Sequence, residues 1–471
     1  MINKEKIIIS FFTLIILFLF VPFYLIEKEV KVRIPETYLA RPFQPADIIV
    51  NIQRNYGSIP RTWRALAQGG EEASGARMIE ATVNQVKKLQ LDYIRLDHIY
   101  DDDYYGVVKG RSGGKLDLDW SKLDETVDDI KATGAKPFFS LTYLPEEVGP
   151  GKIGKPNNWA DWQDLVRQTI EHYSKDTEEI YYEVWNEPSL EWFGGWKMYG
   201  EKNYLELYKY SVLGALQAQG VKPFKIGGPS IPELDPVWIR LLYDYVLANN
   251  LRLDFVSWHR YSFLPEVFLN DVYQINVIES QPKYKKFQNT EKLLTEWGPN
   301  SEKDTAYSSS IAASHAVHIL RKLLDKTKYC FAFEVKDGPN QGQEAWGLLT
   351  HELTEGGVKE KPRYLLYDWL AEFEGNRVEV LGEGTQITGF AVFDNRTTIL
   401  ILSNYQAQNP FEESFNISFG GIKDGQYRLF IQELFSQPEE KQVTVKGGSI
   451  VLNQNLKPYQ VLRVKLTKLS S

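Results

Sequence analysis

Apolar runs of strand length alternate with segments of helical periodicity from Asp47 to about Leu370. The runs are rich in β-branched and aromatic residues, which indicates strands, and each except the last precedes a segment with helical spacing of apolar positions. The predicted strands are Ile48–Ile52, Tyr93–Leu96, Pro137–Leu141, Ile180–Glu187, Phe224–Gly228, Phe255–His259, Leu293–Trp297 and Tyr329–Phe333. This alternation predicts a parallel sheet of the α/β class, and eight repeats over about 290 residues predict a (β/α)₈ TIM barrel. A doubly wound open sheet is the alternative, but no glycine-rich phosphate loop opens a helix.

The pattern changes after about Phe373, where short alternating stretches are separated by turn signals such as Asp424-Gly425 and Gly447-Gly448. Such spacing predicts an antiparallel β-sandwich over residues 373–471. Because it carries no cluster of catalytic residue types, we expect an accessory domain packed on the barrel. A carbohydrate-binding module is the alternative.

The N-terminus contains an apolar, uncharged run from Ile7 to Ile26, long enough for a transmembrane helix. No small-x-small cleavage site follows it, which favours an uncleaved signal anchor over a signal peptide. We therefore predict a membrane anchor at residues 1–26, a proline-containing stalk at 27–46 and the barrel at 47–372. The predicted location is membrane-anchored by this single helix, with the catalytic domain extracytoplasmic.

Composition narrows the function classes. The net charge is −8 and no basic stripe appears, which excludes a nucleic-acid partner. The single cysteine, Cys330, can form neither a disulfide framework nor a cysteine-rich zinc site. Aromatic residues make up 13% of the chain, which fits either a large barrel core or a cleft that stacks rings on sugars.

Two strands end in a carboxylate that is followed by a chain-breaking proline. Asn186-Glu187-Pro188 closes the predicted fourth strand, and Glu296 stands two residues before Gly298-Pro299 at the end of the seventh. Three βα units separate the two glutamates, so both should face the carboxyl end of the barrel. A pair of carboxyls across a cleft is the minimum requirement for cleaving a glycosidic bond.

The neighbouring residues suggest how the two carboxyls could differ. Trp185 and Trp192 would raise the pKa of Glu187 by desolvation, and the Tyr261 hydroxyl could donate to Glu296. His259 could reach the sugar. Candidate rim residues are Asp101, Asp102, Tyr104, Trp192, Trp196 and Glu334. With six histidines and no His-x-His after the first strand, we predict neither a metal nor a cofactor.

A set of stretches in this order resembles the glycoside hydrolases of clan A, and family 39 in particular, which includes β-xylosidases, α-L-iduronidases and membrane-associated endoglycosidases. The matching stretches are Trp185–Leu190 with Trp192-Phe193, Gly227–Pro229, Asp254–Tyr261, Thr295–Trp297, Trp346–Thr350 and Lys361–Tyr364. The resemblance implies Glu187 as general acid/base, Glu296 as nucleophile and retention of the anomeric configuration. It also implies Asn186 on the sugar 2-hydroxyl and Arg95 in support of the nucleophile. The predicted substrate-binding set is Asn186, Arg95, His98, His259, Tyr261, Trp297, Trp192 and Glu334.

The chain departs from the xylosidases where the sugar would be contacted. It has Arg95-Leu96-Asp97-His98 where they resemble Arg-Phe-His-Gly, Ser140 in place of a Glu, and Phe331–Val335 in place of Trp-Thr-Phe-Ser-Asp. We therefore expect a retaining hydrolase acting on an extracellular or envelope polysaccharide or oligosaccharide. A membrane-tethered transglycosylase with the same residues and an inactive polysaccharide-binding protein are the alternatives.

Overall fold

The computed structural model describes residues 42–69, 77–339 and 341–469. The predicted anchor and most of the predicted stalk lie outside the described residues. Across the described ranges, none of the helices combines the length and apolarity that a membrane crossing needs. Residues 43–471 form one compact unit, so the boundary expected between 372 and 373 stays a prediction.

The order of elements confirms the alternation over the first two thirds and the strand-rich remainder. The strands in chain order are β1 Ile48–Ser58, β2 Ala65–Gln68, β3 Tyr93–Leu96, β4 Val108–Ser112, β5 Lys115–Leu118, β6 Lys136–Leu141, β7 Ile180–Val184, β8 Phe224–Ile231, β9 Phe255–Tyr261, β10 Glu291–Gly298, β11 Tyr329–Phe333, β12 Asn376–Leu381, β13 Ile387–Asp394, β14 Thr397–Asn404, β15 Glu413–Gly420, β16 Gly425–Glu433, β17 Glu439–Val445, β18 Ser449–Leu456 and β19 Val461–Lys468. The α-helices are α1 Val83–Lys88, α2 Ser121–Ala132, α3 Trp159–Tyr173, α4 Tyr204–Gln217, α5 Pro236–Ala248, α6 Pro265–Glu279, α7 Ser310–Leu323 and α8 Pro362–Ala371.

Eight parallel strands close into a barrel in the order β2-β3-β6-β7-β8-β9-β10-β11, which confirms the predicted TIM-type architecture. The first barrel strand was predicted wrongly, because it is Ala65–Gln68 rather than Ile48–Ile52. Ala65–Gln68 has four residues and no β-branched side chain, so its sequence gives a weak strand signal. The two glutamates still belong to the fourth and seventh strands, β7 and β10.

The strand Ile48–Ser58 belongs to the second sheet of the molecule. It pairs antiparallel with β12 and parallel with β15, inside a nine-stranded sheet that is otherwise antiparallel. Ile48 and Val50 are fully buried in the core of that sheet. An alternation of apolar and polar residues fits a strand in any sheet that has one buried face. The pattern alone therefore could not tell to which sheet this strand belongs.

Aromatic rings fill the amino-terminal half of the barrel interior. One buried cluster there consists of the rings of Tyr93, Phe138, Tyr181, Phe255 and Phe331 together with smaller aliphatic side chains. Gly227 on β8 leaves the space that Phe255 occupies, because a Cβ on Gly227 would come within 2.7 Å of that ring. Much of the aromatic content therefore belongs to the barrel core.

The C-terminal sheet packs on the barrel with one of its two faces, because successive side chains along its strands point to opposite faces. Phe390 and Ile401 point to the barrel core, whereas Ala391 and Leu400 point to the sheet's own core. Helix α7 lies at this contact, where the Ser403 hydroxyl donates 3.1 Å to the carbonyl of Ser314. An antiparallel sheet domain at the C-terminus is thus confirmed; its strands form one nine-stranded sheet with Ile48–Ser58, and the predicted β-sandwich over 373–471 stays a prediction.

Two buried histidines of α7 lie at the same contact. His315 Nε2 is 2.9 Å from the carbonyl of Ser262, and His318 Nε2 is 3.4 Å from that of Ser403. Burial lowers the pKa of each to about 3. Both are therefore neutral in the folded protein near neutral pH.

We expect the protein to lose stability as pH falls from about 6.5 towards 3. Over this range the two histidines bind protons in the unfolded chain but stay neutral in the folded protein, so acid favours unfolding. A His315→Asn/His318→Asn variant should have a lower Tm at pH 7 but a flatter dependence of Tm on pH. His172→Asn, at a partly exposed histidine of α3, is the matched control. Thermal unfolding between pH 7 and pH 4 measures this, and an unchanged slope in the double variant would contradict it.

Candidate active site

The two glutamates lie at the carboxyl end of the barrel. Glu187 follows the end of β7 at Val184, three residues earlier than the predicted strand end, in a backbone with φ of 42°. Glu296 lies within β10. Residues at this end of a parallel barrel are the ones that reach a common cleft.

A β-bulge at Thr295 turns Glu296 into the barrel. Leu294 pairs with Trp258 and the next pair is Glu296 with His259, so Thr295 is an extra residue on β10. Strict alternation along the strand would have placed Glu296 on the helix-facing side. The bulge therefore brings the carboxyl of Glu296 to the same side as His259.

Arg95 on β3 connects the parts of the site. Its guanidinium is fully buried and donates to Glu183 at 2.7 Å, Glu296 at 2.9 Å and Asn186 Oδ1 at 2.7 Å. It also donates to Asp97. Burial alone would lower its pKa, but these carboxylates raise it above the usual value, so the group stays charged.

Glu296 receives two donors and is still hard to ionise. The Tyr261 hydroxyl donates 2.8 Å to Oε2, as expected from the sequence, and Arg95 donates to Oε1. Burial nevertheless raises the pKa of Glu296 to about 7; His259 and Arg95 oppose the shift and Asp97 adds to it.

His259 bridges the two carboxyls. Its Nδ1 lies 2.9 Å from Glu187 Oε1 and 3.5 Å from Glu296 Oε2, and its Nε2 lies 3.0 Å from Ser230 Oγ. Burial lowers its pKa, but the negative charges of the two glutamates outweigh this and raise it. One atom from each of Glu187, His259 and Glu296 lies within 4.8 Å of the others, so these three could also hold a metal ion.

The structure does not bring every predicted residue to the pair. Trp192 lies on the short 3-10 turn Glu191–Phe193 and is 86% exposed, so it does not wall Glu187. Trp297 is fully buried on the helix-facing side of β10, against Phe268 and His315. Substrate contact by these two tryptophans stays a prediction.

His98 and Glu334 lie at other strand ends of the same barrel face. The His98 ring packs against Tyr143, and its Nδ1 is 3.9 Å from Asp101 Oδ2. Glu334 follows β11 and is fully buried, with Oε2 accepting from Gln68 Nε2 at 3.1 Å. Their roles in substrate binding stay predictions.

The remaining rim candidates serve mainly local structure. Asp101 is buried and pairs with Lys152 at 2.9 Å, and Asp102 accepts from the backbone of Glu146. Tyr104 packs on its neighbour, and Trp196 is buried against Trp185.

Sequence reasoning missed three side chains of the centre: Asp97, Glu183 and Ser230. Period-two alternation places Asp97 on the same face as Arg95, which is a usable signal. Ser230 falls at a register shift between Pro229 and Ile231 in β8, which has no such signal.

A closed parallel barrel with two carboxyls at the ends of its fourth and seventh strands has the architecture of a barrel glycosidase. The sequence profile of "Glycosyl hydrolases family 39" matches residues 46–335. The chain belongs to this family and is a glycosidase.

Individual relatives agree with the assignment. A β-xylosidase of Caldicellulosiruptor saccharolyticus is 26% identical over 450 residues, covering 85% of this chain and 88% of the relative. Among solved structures, a monomeric β-xylosidase from Caulobacter crescentus CB15 aligns with a TM-score of 0.74 and 22% identity over 90% of this chain and 100% of that one. The GH39 enzyme from Xanthomonas axonopodis pv. citri aligns with a TM-score of 0.75 and 20% identity, over 93% and 100%. These structures confirm the fold.

The raised pKa of Glu296 predicts the pH profile of hydrolysis. If hydrolysis requires ionised Glu296, kcat/KM should rise with pH through about 7. Tyr261→Phe removes a hydrogen-bond donor to the charged form of Glu296 and should move this limb to higher pH. At pH values on the acidic limb, kcat/KM should fall by roughly tenfold or more. The control is Tyr273→Phe, at an exposed tyrosine of α6. A limb that stays in place in Tyr261→Phe would contradict the assignment.

Proposed function

We propose that the protein is a retaining glycoside hydrolase that cleaves O-glycosidic bonds of an extracellular or envelope polysaccharide or oligosaccharide. Glu296 attacks the anomeric carbon while Glu187 protonates the leaving oxygen. Glu187 then removes a proton from the water that releases the sugar. The approach of the two glutamates at one barrel face is the observation that carries the proposal.

The spacing of the pair favours retention. A carboxylate oxygen of Glu187 lies within 4.8 Å of one of Glu296. Retaining enzymes hold their carboxyls about 5–5.5 Å apart, whereas inverting enzymes leave roughly 6.5–9.5 Å for a water molecule. The approach of these oxygens fits direct attack by a side chain.

The protons of the reaction can be exchanged within the site. Glu187 must hold a proton when Glu296 is ionised, although the pKa of Glu296 is about 7. His259 Nδ1 is within 3.5 Å of an oxygen of each glutamate and can pass a proton between them. Arg95 binds Asn186 Oδ1, which orients the amide so that Nδ2 is the donor for the sugar 2-hydroxyl.

The substrate is a sugar other than xylose, because the residues expected to contact the sugar depart from those that the xylosidases resemble. Asp97 and Glu334 belong to these departures, and each interacts electrostatically with Glu296. The apolar run Ile7–Ile26 supports an anchored enzyme with the barrel outside the cell membrane. An anchored enzyme of this kind suits a polymeric substrate at the cell envelope.

Substitution of each glutamate should give a different signature. Glu296→Ala should abolish hydrolysis, and added azide should restore release with inverted product, because the small anion takes the place of the missing carboxylate. Glu187→Ala should lower rates about 10²- to 10⁴-fold on poor leaving groups and spare activated aryl glycosides. Product configuration by NMR and rates on matched aryl glycosides measure both.

The matched control is Glu191→Ala, at an exposed glutamate four residues beyond Glu187. Equal losses on all leaving groups in Glu187→Ala would contradict an acid role. Transfer to an added sugar acceptor in preference to water would instead assign a transglycosylase.

The anchor is tested by fractionation. The full chain should stay in the membrane fraction after a high-salt wash, and a chain beginning at Arg33 should be released, because only the apolar run holds it there. Protease added to intact cells should cleave the barrel of the full chain. Recovery of the full chain in the soluble fraction would contradict the anchor.

A further inference from the structure

The five N–H groups of the Arg95 guanidinium are all used in hydrogen bonds. Nη1 donates to two carboxylates, Glu296 Oε1 at 2.9 Å and Asp97 Oδ1. The acceptors of the other three N–H groups are Glu183, Asn186 and Ser230. Glu296 and Asp97 therefore depend on the same nitrogen, and Arg95 has no further N–H to offer to either.

The shared nitrogen holds the carboxylates of Asp97 and Glu296 close together. Each of the two oxygens is one hydrogen-bond length from Nη1, which places them about 5 Å apart. Both side chains are shielded from solvent, since that of Asp97 is 10% exposed and that of Glu296 is 7% exposed. Water screens the repulsion of like charges poorly at such sites. Ionisation of Glu296 therefore places a second negative charge close to that of Asp97.

The other groups around Glu296 leave this repulsion in place. Among the described residues, the titratable groups that face Glu296 are Arg95 on β3, Asp97 after it, Glu187 after β7, His259 and Tyr261 on β9, and Glu334 after β11. Burial raises the pKa of Glu334 and of Tyr261 well above their ordinary values, so both are neutral near pH 7. Burial also raises the pKa of Glu296, and of the neighbouring carboxylates Asp97 adds more to the rise than Glu187 does.

The backbone and its neighbours fix Asp97 in this position. Asp97 follows β3 directly, two residues beyond Arg95, so both side chains point to the same face of the strand. Its N–H donates 3.3 Å to the carbonyl of Gln68, which continues the pairing with β2. A Cβ built on Gly69 would lie 2.7 Å from the Phe333 ring and 3.5 Å from Asp97 Oδ2. The carboxylate is thus enclosed between this segment and Arg95.

We propose that Asp97 is a positioning residue that acts on Glu296 through their shared nitrogen of Arg95 and thereby confines hydrolysis to neutral and alkaline pH. The inference rests on the proposed function, because Glu296 is the nucleophile there. A protonated Glu296 cannot attack the anomeric carbon. Without the charge of Asp97, Arg95 would stabilise ionised Glu296 more fully, and the enzyme would work at lower pH.

The pH profile of Asp97→Asn tests the proposal, because this change keeps the size of the side chain and removes its charge. The substrate is the 4-nitrophenyl glycoside, out of a panel of sugars, that the native full chain hydrolyses fastest. The acid limb of kcat/KM should move about one pH unit lower, as expected when a neighbouring like charge is removed. At pH 5.5, kcat/KM should then exceed the native value by up to about tenfold. Damage to the fold would instead lower kcat/KM at every pH.

Asp103→Asn is the matched control, because Asp103 belongs to the same segment as Asp97 but its side chain is 80% exposed. It should keep the native pH profile. The proposal is overturned when the acid limb of Asp97→Asn, in a protein of native Tm, stays in place or moves to higher pH.

Carbon-13 NMR of labelled carboxyl groups is a second measurement, which needs neither a substrate nor a variant. In the native full chain, the carboxyl signal of Asp97 should shift at the pH at which Glu296 titrates, because both groups bind Arg95 Nη1. The signals are assigned through their backbone carbons. An Asp97 signal that does not respond to the titration of Glu296 overturns the proposal, whatever the stability of the variants.

The two measurements separate this proposal from the proposed function. A titration of Glu296 that moves to lower pH in Asp97→Asn, without hydrolysis of any glycoside by the native chain, supports the action of Asp97 and refutes the proposed function. Hydrolysis with retained configuration and an unmoved acid limb overturns the role of Asp97 and leaves the proposed function standing.

Discussion

The buried guanidinium of Arg95 is the interaction on which the reaction centre depends. A buried cation is unfavourable unless it is paired, and here it has three carboxylate partners. Its donors reach groups on four separate segments, which fixes their relative positions. Lysine could not replace it, because a single ammonium lacks the planar fork that spans these partners. The segments are joined through Asp97, Glu183, Asn186, Ser230 and Glu296.

Sharing one guanidinium among several carboxylates has an electrostatic consequence. Each carboxylate receives only part of the stabilisation, and burial then raises the pKa of Glu296 to about 7. His259 adds positive charge and lies between Glu187 and Glu296.

The sequence pattern was sufficient for the barrel and for the approach of Glu187 and Glu296 at one barrel face, because strand-end carboxylates followed by a chain break carry a strong local signal. It was not sufficient for Ala65–Gln68, whose four residues lack β-branched side chains, or for Ile48–Ser58, which could satisfy either sheet. The inward direction of Glu296 depends on the bulge at Thr295, which a pairing partner creates and a single strand does not reveal. Likewise, local spacing could not tell that the turn at Glu191–Phe193 leaves Trp192 in solvent.

The aromatic layer inside the barrel explains why the buried charged groups around Arg95 must pair with one another rather than with water. Phe138, Tyr181, Phe255 and Phe331 close the interior on the amino-terminal side, and Arg95 stands two residues beyond Tyr93 of the same cluster. Arg95 and Glu183 are therefore enclosed by rings on one side and reach solvent on none, since both are fully buried. Electrostatic interactions strengthen as water is excluded, in attraction and repulsion alike. The apolar core of the barrel thus sets the strength of the ion pairs that hold Glu296, and packing and acid–base chemistry are properties of one structure.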